Sequence, residues 1–153
     1  MPTRTQSPRT LAVIKRMKET VLRDYFENKV TVKTLAENVK DTQKRATYDT
    51  ISVKVEQVQD GTTYQIRKEH LLRLCNEVLN GKLSLEDINS IALTLVFSEY
   101  FFWDTKTKEG EMIETTVYDW DSPEINFPLT LSNMKLWKQY FETGEYNLRV
   151  ENK

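Results

Sequence analysis

Residues 85–102 constrain the fold of this chain more than any other stretch. Leu85, Ile88, Ile91, Ala92, Leu95, Val96 and Phe102 recur at helical spacing, and Leu93, Phe97, Tyr100 and Phe101 cover the other sides. A helix that is apolar nearly all round must be covered on several sides, so it belongs at the centre of a core. Ser84 with Asp87 three residues later has the form of a capping box and marks its start. Glu99 interrupts the apolar run 88–103, which is too short to span a bilayer.

The segment before it reads as a second helix over 67–80. Leu71, Leu74, Cys75, Val78 and Leu79 share one face, and Asn80-Gly81 closes it as glycine commonly closes helices. The short turn between the two predicts an antiparallel helix pair over 67–102 that serves as scaffold.

The flanks supply smaller elements. Ser7-Pro8 suits a helix start, and Leu11, Ile14, Met17, Val21, Leu22 and Tyr25 predict an amphipathic helix over roughly 8–27. Thr31 can cap a short helix carrying Leu35, Ala36 and Val39. Residues 40–50 lack an apolar period and read as an exposed linker. Ile51, Val53 and Val55 alternate with polar residues, Asp60-Gly61 signals a turn, and Tyr64 and Ile66 return, so a hairpin over 51–66 is expected. Residues 104–111 read as a loop and 112–120 as a strand rich in β-branched and aromatic residues. Thr130 opens a last helix over about 131–142 with Met134, Trp137 and Phe141 in one stripe, and Gly144 stops it. Residues 146–150 form a short strand or an ordered tail. The expected class is a helix-rich α+β fold, with the helix pair packed on small antiparallel β elements. A basic helical arm, 1–50, precedes a main body, 51–153, and the two can fold as one domain.

Composition excludes several classes. The 153 residues are 39% apolar and 29% charged, so the chain is globular rather than disordered. A single cysteine, Cys75, forbids an internal disulfide and fits a reducing compartment. Residues 1–10 are polar and lack the apolar core of a secretory signal, so the expected location is the cytoplasm.

The residues that carry chemistry point to binding rather than to a reaction. His70 is the only histidine, and its spacing from Cys75 puts the two on different faces of one helix. No zinc, EF-hand or glycine-rich phosphate motif is present in the sequence, so no metal or cofactor is expected and the chain does not read as an enzyme. Asp119, Asp121 and Glu124 surround a turn, but their spacing selects no particular cation.

Charge is distributed asymmetrically. Residues 1–54 hold twelve Lys/Arg against six Asp/Glu, whereas residues 104–153 hold six against ten. Such a bipolar chain can steer partners or order self-association. The acidic end gives the leading candidate site: Trp103, Asp104, Glu111, Glu114, Tyr118, Asp119, Trp120, Asp121 and Glu124. There, rings supply contact area and acids steer a protein partner with a basic surface. The basic end gives an alternative, in which Arg9, Lys15, Arg16, Lys18, Arg23, Lys40, Lys44 and Arg45 contact the phosphates of a nucleic acid. A third expectation is a structural, self-assembling subunit, a homo-oligomer formed through the 11–25 stripe.

A family resemblance is carried by the stretch from His70-Leu71-Leu72-Arg73-Leu74-Cys75 through Phe101-Phe102-Trp103-Asp104, then by Tyr118-Asp119-Trp120-Asp121-Ser122-Pro123-Glu124-Ile125-Asn126-Phe127-Pro128-Leu129-Thr130. In size, acidity and style, residues 66–144 resemble small bacterial proteins of the immunity or antitoxin kind. The resemblance implies a non-catalytic protein that neutralises a basic toxin by masking its active surface. The basic N-terminal region departs from that acidic pattern and leaves room for a second role.

Overall fold

A computed structural model of the chain describes residues 15–47 and 50–150, with the backbone alone for 45–47 and 50. The architecture is α+β and helix-rich. In chain order the elements are β1 (Met17–Lys18), α1 (Glu19–Phe26), α2 (Val32–Val39), β2 (Gln43–Thr47), β3 (Thr50–Val53), β4 (Val55–Glu56), β5 (Tyr64–Gln65), α3 (Lys68–Leu79), α4 (Leu85–Val96), β6 (Phe101–Phe102), α5 (Lys108–Asp121) and α6 (Leu131–Thr143). None of these helices is long and apolar enough to cross a membrane.

Helix α4 takes the central place its composition demands. Ile88, Ile91, Ala92 and Leu95 are buried, and α5, α2 and β3 all pack on it. Ser90 and Thr94 are buried as well, and the Thr94 hydroxyl donates to the Ser90 carbonyl at 2.9 Å. The capping box forms as expected: Asp87 N–H donates to Ser84 Oγ at 3.0 Å, and Ser84 N–H to Asp87 Oδ2 at 2.9 Å.

The expected antiparallel pairing of α3 with α4 is not the principal packing. The apolar face of α3 (Leu71, Leu74, Cys75, Val78) lies mainly on α6, and α4 lies mainly on α5. The reason is coverage. An all-round apolar α4 needs more partners than one, and α5 and α6 bring the largest side chains. Trp120 of α5 and Trp137 of α6 are both fully buried and meet edge to face, with centroids 6.0 Å apart.

Helix α4 also ends at Val96, earlier than residue 102. The Ser98 hydroxyl accepts from the N–H groups of Tyr100 and Phe101, both at 2.9 Å, and so diverts the backbone from the helix. Phe101 and Phe102 then form β6.

The strands pair differently from a 51–66 hairpin. β2 and β3 are antiparallel, with Gln43 opposite Val53 and Lys44 opposite Ser52. The segment expected to be a linker is therefore partly a strand. Its residues Lys40, Asp41 and Lys44 are exposed, and Gln43 Nε2 ties it to α4 through Asn89 Oδ1 at 2.7 Å. β4 pairs in parallel with β1 (Met17 opposite Val55), and β5 in parallel with β6 (Tyr64 opposite Phe101).

The N-terminal amphipathic pattern resolves into β1 followed by a shorter α1. Its residues 8–14, including Leu11 and Ile14, lie outside the described residues. Met17, Leu22 and Tyr25 are fully buried in the chain's own core, together with Leu35, Leu71 and Trp137. That part of the stripe expected to join copies is consumed within the fold. Arg73 fastens α1 to α3: its guanidinium donates to the carbonyl oxygens of Tyr25 and Phe26 and sits 4.1 Å from the centre of the Tyr25 ring.

Candidate docking surface

The largest departure from the sequence reading lies at the candidate site. Residues 104–107 form a turn, as the expected loop does, whereas 108–120, expected as the rest of that loop and a strand, form the start and body of α5. Thr107 caps it, accepting from Gly110 N–H at 2.9 Å. Met112, Ile113, Thr116, Val117 and Trp120 follow a helical period and face inward. Packing against α4 overrides the β-branched composition that favours a strand.

A helix sorts the candidate residues onto two sides in a way a strand does not. Trp120 is 0% exposed and Asp119 is 5% exposed. Neither can meet a partner, which corrects their assignment to the docking face. Asp119 Oδ2 accepts from Trp137 Nε1 at 3.1 Å and from the Tyr146 hydroxyl. Burial pushes the Asp119 carboxyl above the ordinary range, while these two donors pull it back.

The outer side carries the rest. Glu111 and Glu124 are exposed, Glu114 and Asp121 are half-buried, and Tyr118 is 47% exposed. Half-buried Trp103 donates from Nε1 to Glu114 Oε1 at 3.3 Å and so joins this face. Exposed Asp104 turns its Oδ1 to Lys106 N–H at 2.9 Å. Among the described residues, no lysine or arginine forms an ion pair with Asp104, Glu111, Glu114, Asp121 or Glu124. The ion pairs there are Arg23–Asp24 and Arg67–Glu109.

Beside this face lies a cleft of about 290 Å³ between α4, β3 and the end of α5. Ile51, Leu93, Phe97 and Pro123 give it apolar walls, and Asp121 and Glu124 stand at its acidic side. Phe97, the residue that ends α4, is 73% exposed. Phe97 and Ile51 were not among the candidates from sequence. The one available signal was that Phe97 falls off the buried stripe of α4. Asp121 is shifted upward by burial, with a Ser122 hydrogen bond opposing.

The basic candidates are spread over several elements. Lys15, Arg16, Lys18, Lys40 and Lys44 are exposed, and Lys15 Nζ donates to the Glu37 carbonyl. Arg23 is drawn into the fold by Asp24 at 3.0 Å and the Tyr100 hydroxyl at 3.4 Å, which corrects its role as a free phosphate contact. Arg9 and the Arg45 side chain lie outside the described residues. α2 is followed by the β2–β3 pair, not by a second helix as in a helix-turn-helix.

His70 and Cys75 do not form a reactive pair. His70 stacks on Phe26 at 4.5 Å, and its Nδ1 accepts from Arg67 N–H at 2.9 Å. Cys75 is fully buried, and desolvation raises its thiol far above the reactive range. Asp119, Asp121 and Glu124 do not converge, because Asp119 points inward. In comparisons with known proteins, no family model, curated protein or solved structure matches the chain.

Proposed function

We propose that this chain is a non-catalytic, cytoplasmic protein-binding module of the immunity-like kind. Its partner is a protein with a basic surface. The docking residues are Trp103, Asp104, Glu111, Glu114, Tyr118, Asp121 and Glu124, with Phe97 as an apolar anchor. The observation that carries this reading is a row of carboxylates without ion-pair partners among the described residues, adjoining exposed Tyr118 and Phe97. Unpaired surface acids raise the rate of encounter with a cationic partner, and exposed rings supply the desolvated contact that holds it.

The test is affinity capture from the native cell with the wild-type chain, Glu111→Lys/Glu124→Lys and Phe97→Ala as parallel baits. One stoichiometric basic protein, recovered by the wild type and lost with the charge reversal, supports the reading. Equal recovery by all three baits removes this surface from consideration. A second reading rests on the exposed run Lys15, Arg16 and Lys18. It makes the chain a nucleic-acid-associated regulator, and it requires binding to DNA or RNA that weakens steeply with salt.

A further inference from the structure

The segment that follows α6 is held as a peptide ligand is held. Gly144, in a left-handed conformation with φ 85°, turns the chain out of α6. Residues 145–149 then run back without helix or strand pairing. Tyr146 puts its ring against Tyr140 (4.9 Å) and Phe127 (5.8 Å) and its hydroxyl on buried Asp119. Leu148 packs on the core. The fully buried Asn133 amide holds both backbone groups of Arg149: Oδ1 accepts its N–H at 3.1 Å, and Nδ2 donates to its carbonyl at 2.8 Å.

This arrangement separates what is read from what is not. The Asn133 amide recognises main chain, and the exposed Arg149 side chain plays no part in that contact. Tyr146, 38% exposed, is held twice, by the rings of Tyr140 and Phe127 and by a carboxylate acceptor at its end. Leu148 is selected by apolar burial. Removing the segment would leave the buried Asn133 Oδ1 without its acceptor role and Asp119 with Trp137 alone, while Asn133 Nδ2 keeps the Pro128 carbonyl at 3.0 Å, so the empty groove is disfavoured relative to one filled by an occupant of the same chemistry.

We propose that the groove between α5 and α6 is a recognition site for an extended peptide carrying tyrosine two residues before leucine. In this structure the occupant is the chain's own residues 145–149, acting as a removable plug. The segment has no backbone ladder to either helix; side chains of α5 and α6, Asp119, Asn133 and Tyr140, hold it instead.

The test uses the full chain with a protease recognition sequence inserted after Gly144, folded first and cut afterwards. A fluorescent synthetic peptide of residues 145–153 is the probe, read by anisotropy. Saturable one-to-one binding is expected, weakened roughly tenfold or more in the Tyr146→Phe peptide and in the Leu148→Ala peptide. Equal binding of a scrambled peptide, or no binding to cut protein whose circular dichroism is unchanged, overturns the proposal. If cutting destroys the fold, hydrogen exchange on the uncut chain decides. Faster exchange of the Arg149 amide than of the α6 amides supports a detachable plug, and exchange at the common global rate rejects it.

Discussion

Glu19 and Ser98, 79 residues apart, are joined by a hydrogen bond of 2.7 Å from the Ser98 hydroxyl to Glu19 Oε2. The other carboxylate oxygen of Glu19 accepts from Val58 N–H at 2.9 Å. Because Ser98 also turns the backbone at the end of α4, one buried carboxylate connects the start of α1, the segment after β4 and the entry to β6. Glu19→Ala leaves a backbone N–H and a hydroxyl without their acceptor. The expected loss is about 3 kcal/mol, seen as a fall in Tm of roughly 10 °C. Glu19→Gln should retain part of that stability, because one oxygen still accepts. Urea denaturation of both variants checks the order.

Gly110 reverses the usual expectation for glycine in a helix. Replacing a helical glycine by alanine ordinarily stabilises by roughly 0.5–1 kcal/mol. A Cβ at Gly110, however, would lie 1.7 Å from the Asp104 carbonyl oxygen, which is backbone and cannot rotate away. Gly110→Ala should therefore destabilise by about 1–3 kcal/mol as the 104–107 turn is pushed off α5. A urea midpoint equal to or above that of the wild type would contradict this.

The same glycine explains why α5 was misread from sequence while α3, α6 and the start of α4 were not. Leu71, Leu74, Cys75 and Val78 announce their helix by period alone, and Ser84–Asp87 and Thr130 announce starts by capping chemistry. In α5 the early glycine and the β-branched run Thr115, Thr116 and Val117 speak locally against a helix, and only contact with α4 decides otherwise. The site inherits the error. A strand alternates its faces, so Trp120 and Tyr118 could both be placed outward. A helix sends Tyr118 out and Trp120 in. Phe97 was hidden because the apolar run continues past it, and only the Ser98 turn ends the helix there. The parallel pairs β1–β4 and β5–β6 involve two residues each and leave no period to read.

His70 is expected to remain neutral at pH 7. Burial against Phe26 pushes its pKa below the ordinary value of about 6.5; Glu69 and Glu27 oppose the shift, and Arg73 and Arg67 add to it. Protonation would also remove the Nδ1 acceptor for Arg67 N–H. A base with a depressed folded pKa contributes stability above its unfolded pKa and loses it as pH falls through the folded value. As the only histidine, it gives one set of ring signals by NMR, and their midpoint should lie below 6.5. A midpoint at or above that value would remove burial as the dominant influence.

Asp119 runs in the opposite sense. Its pKa is raised, first by burial and then by Asp121, against the donors Tyr146 and Trp137. An acid with a raised folded pKa contributes stability that is complete below its unfolded value of about 3.9 and is lost as pH rises through the folded one. Asp119→Asn cannot ionise and so lacks that dependence. The stability of the variant relative to wild type should shift in its favour between pH 4 and pH 7. Asp121, also raised by burial, is coupled to Asp119 by charge, so the difference reports the loss of the Asp119 charge together with its effect on Asp121. Because the Tyr146 hydroxyl donates more strongly to the ionised carboxylate, exchange of the Arg149 amide in the wild type should slow over the same pH range as the charge develops. In Asp119→Asn that exchange, corrected for its intrinsic base catalysis, should be flat. A stability difference independent of pH would show that Asp119 stays ionised throughout and that its two hydrogen bonds outweigh its burial.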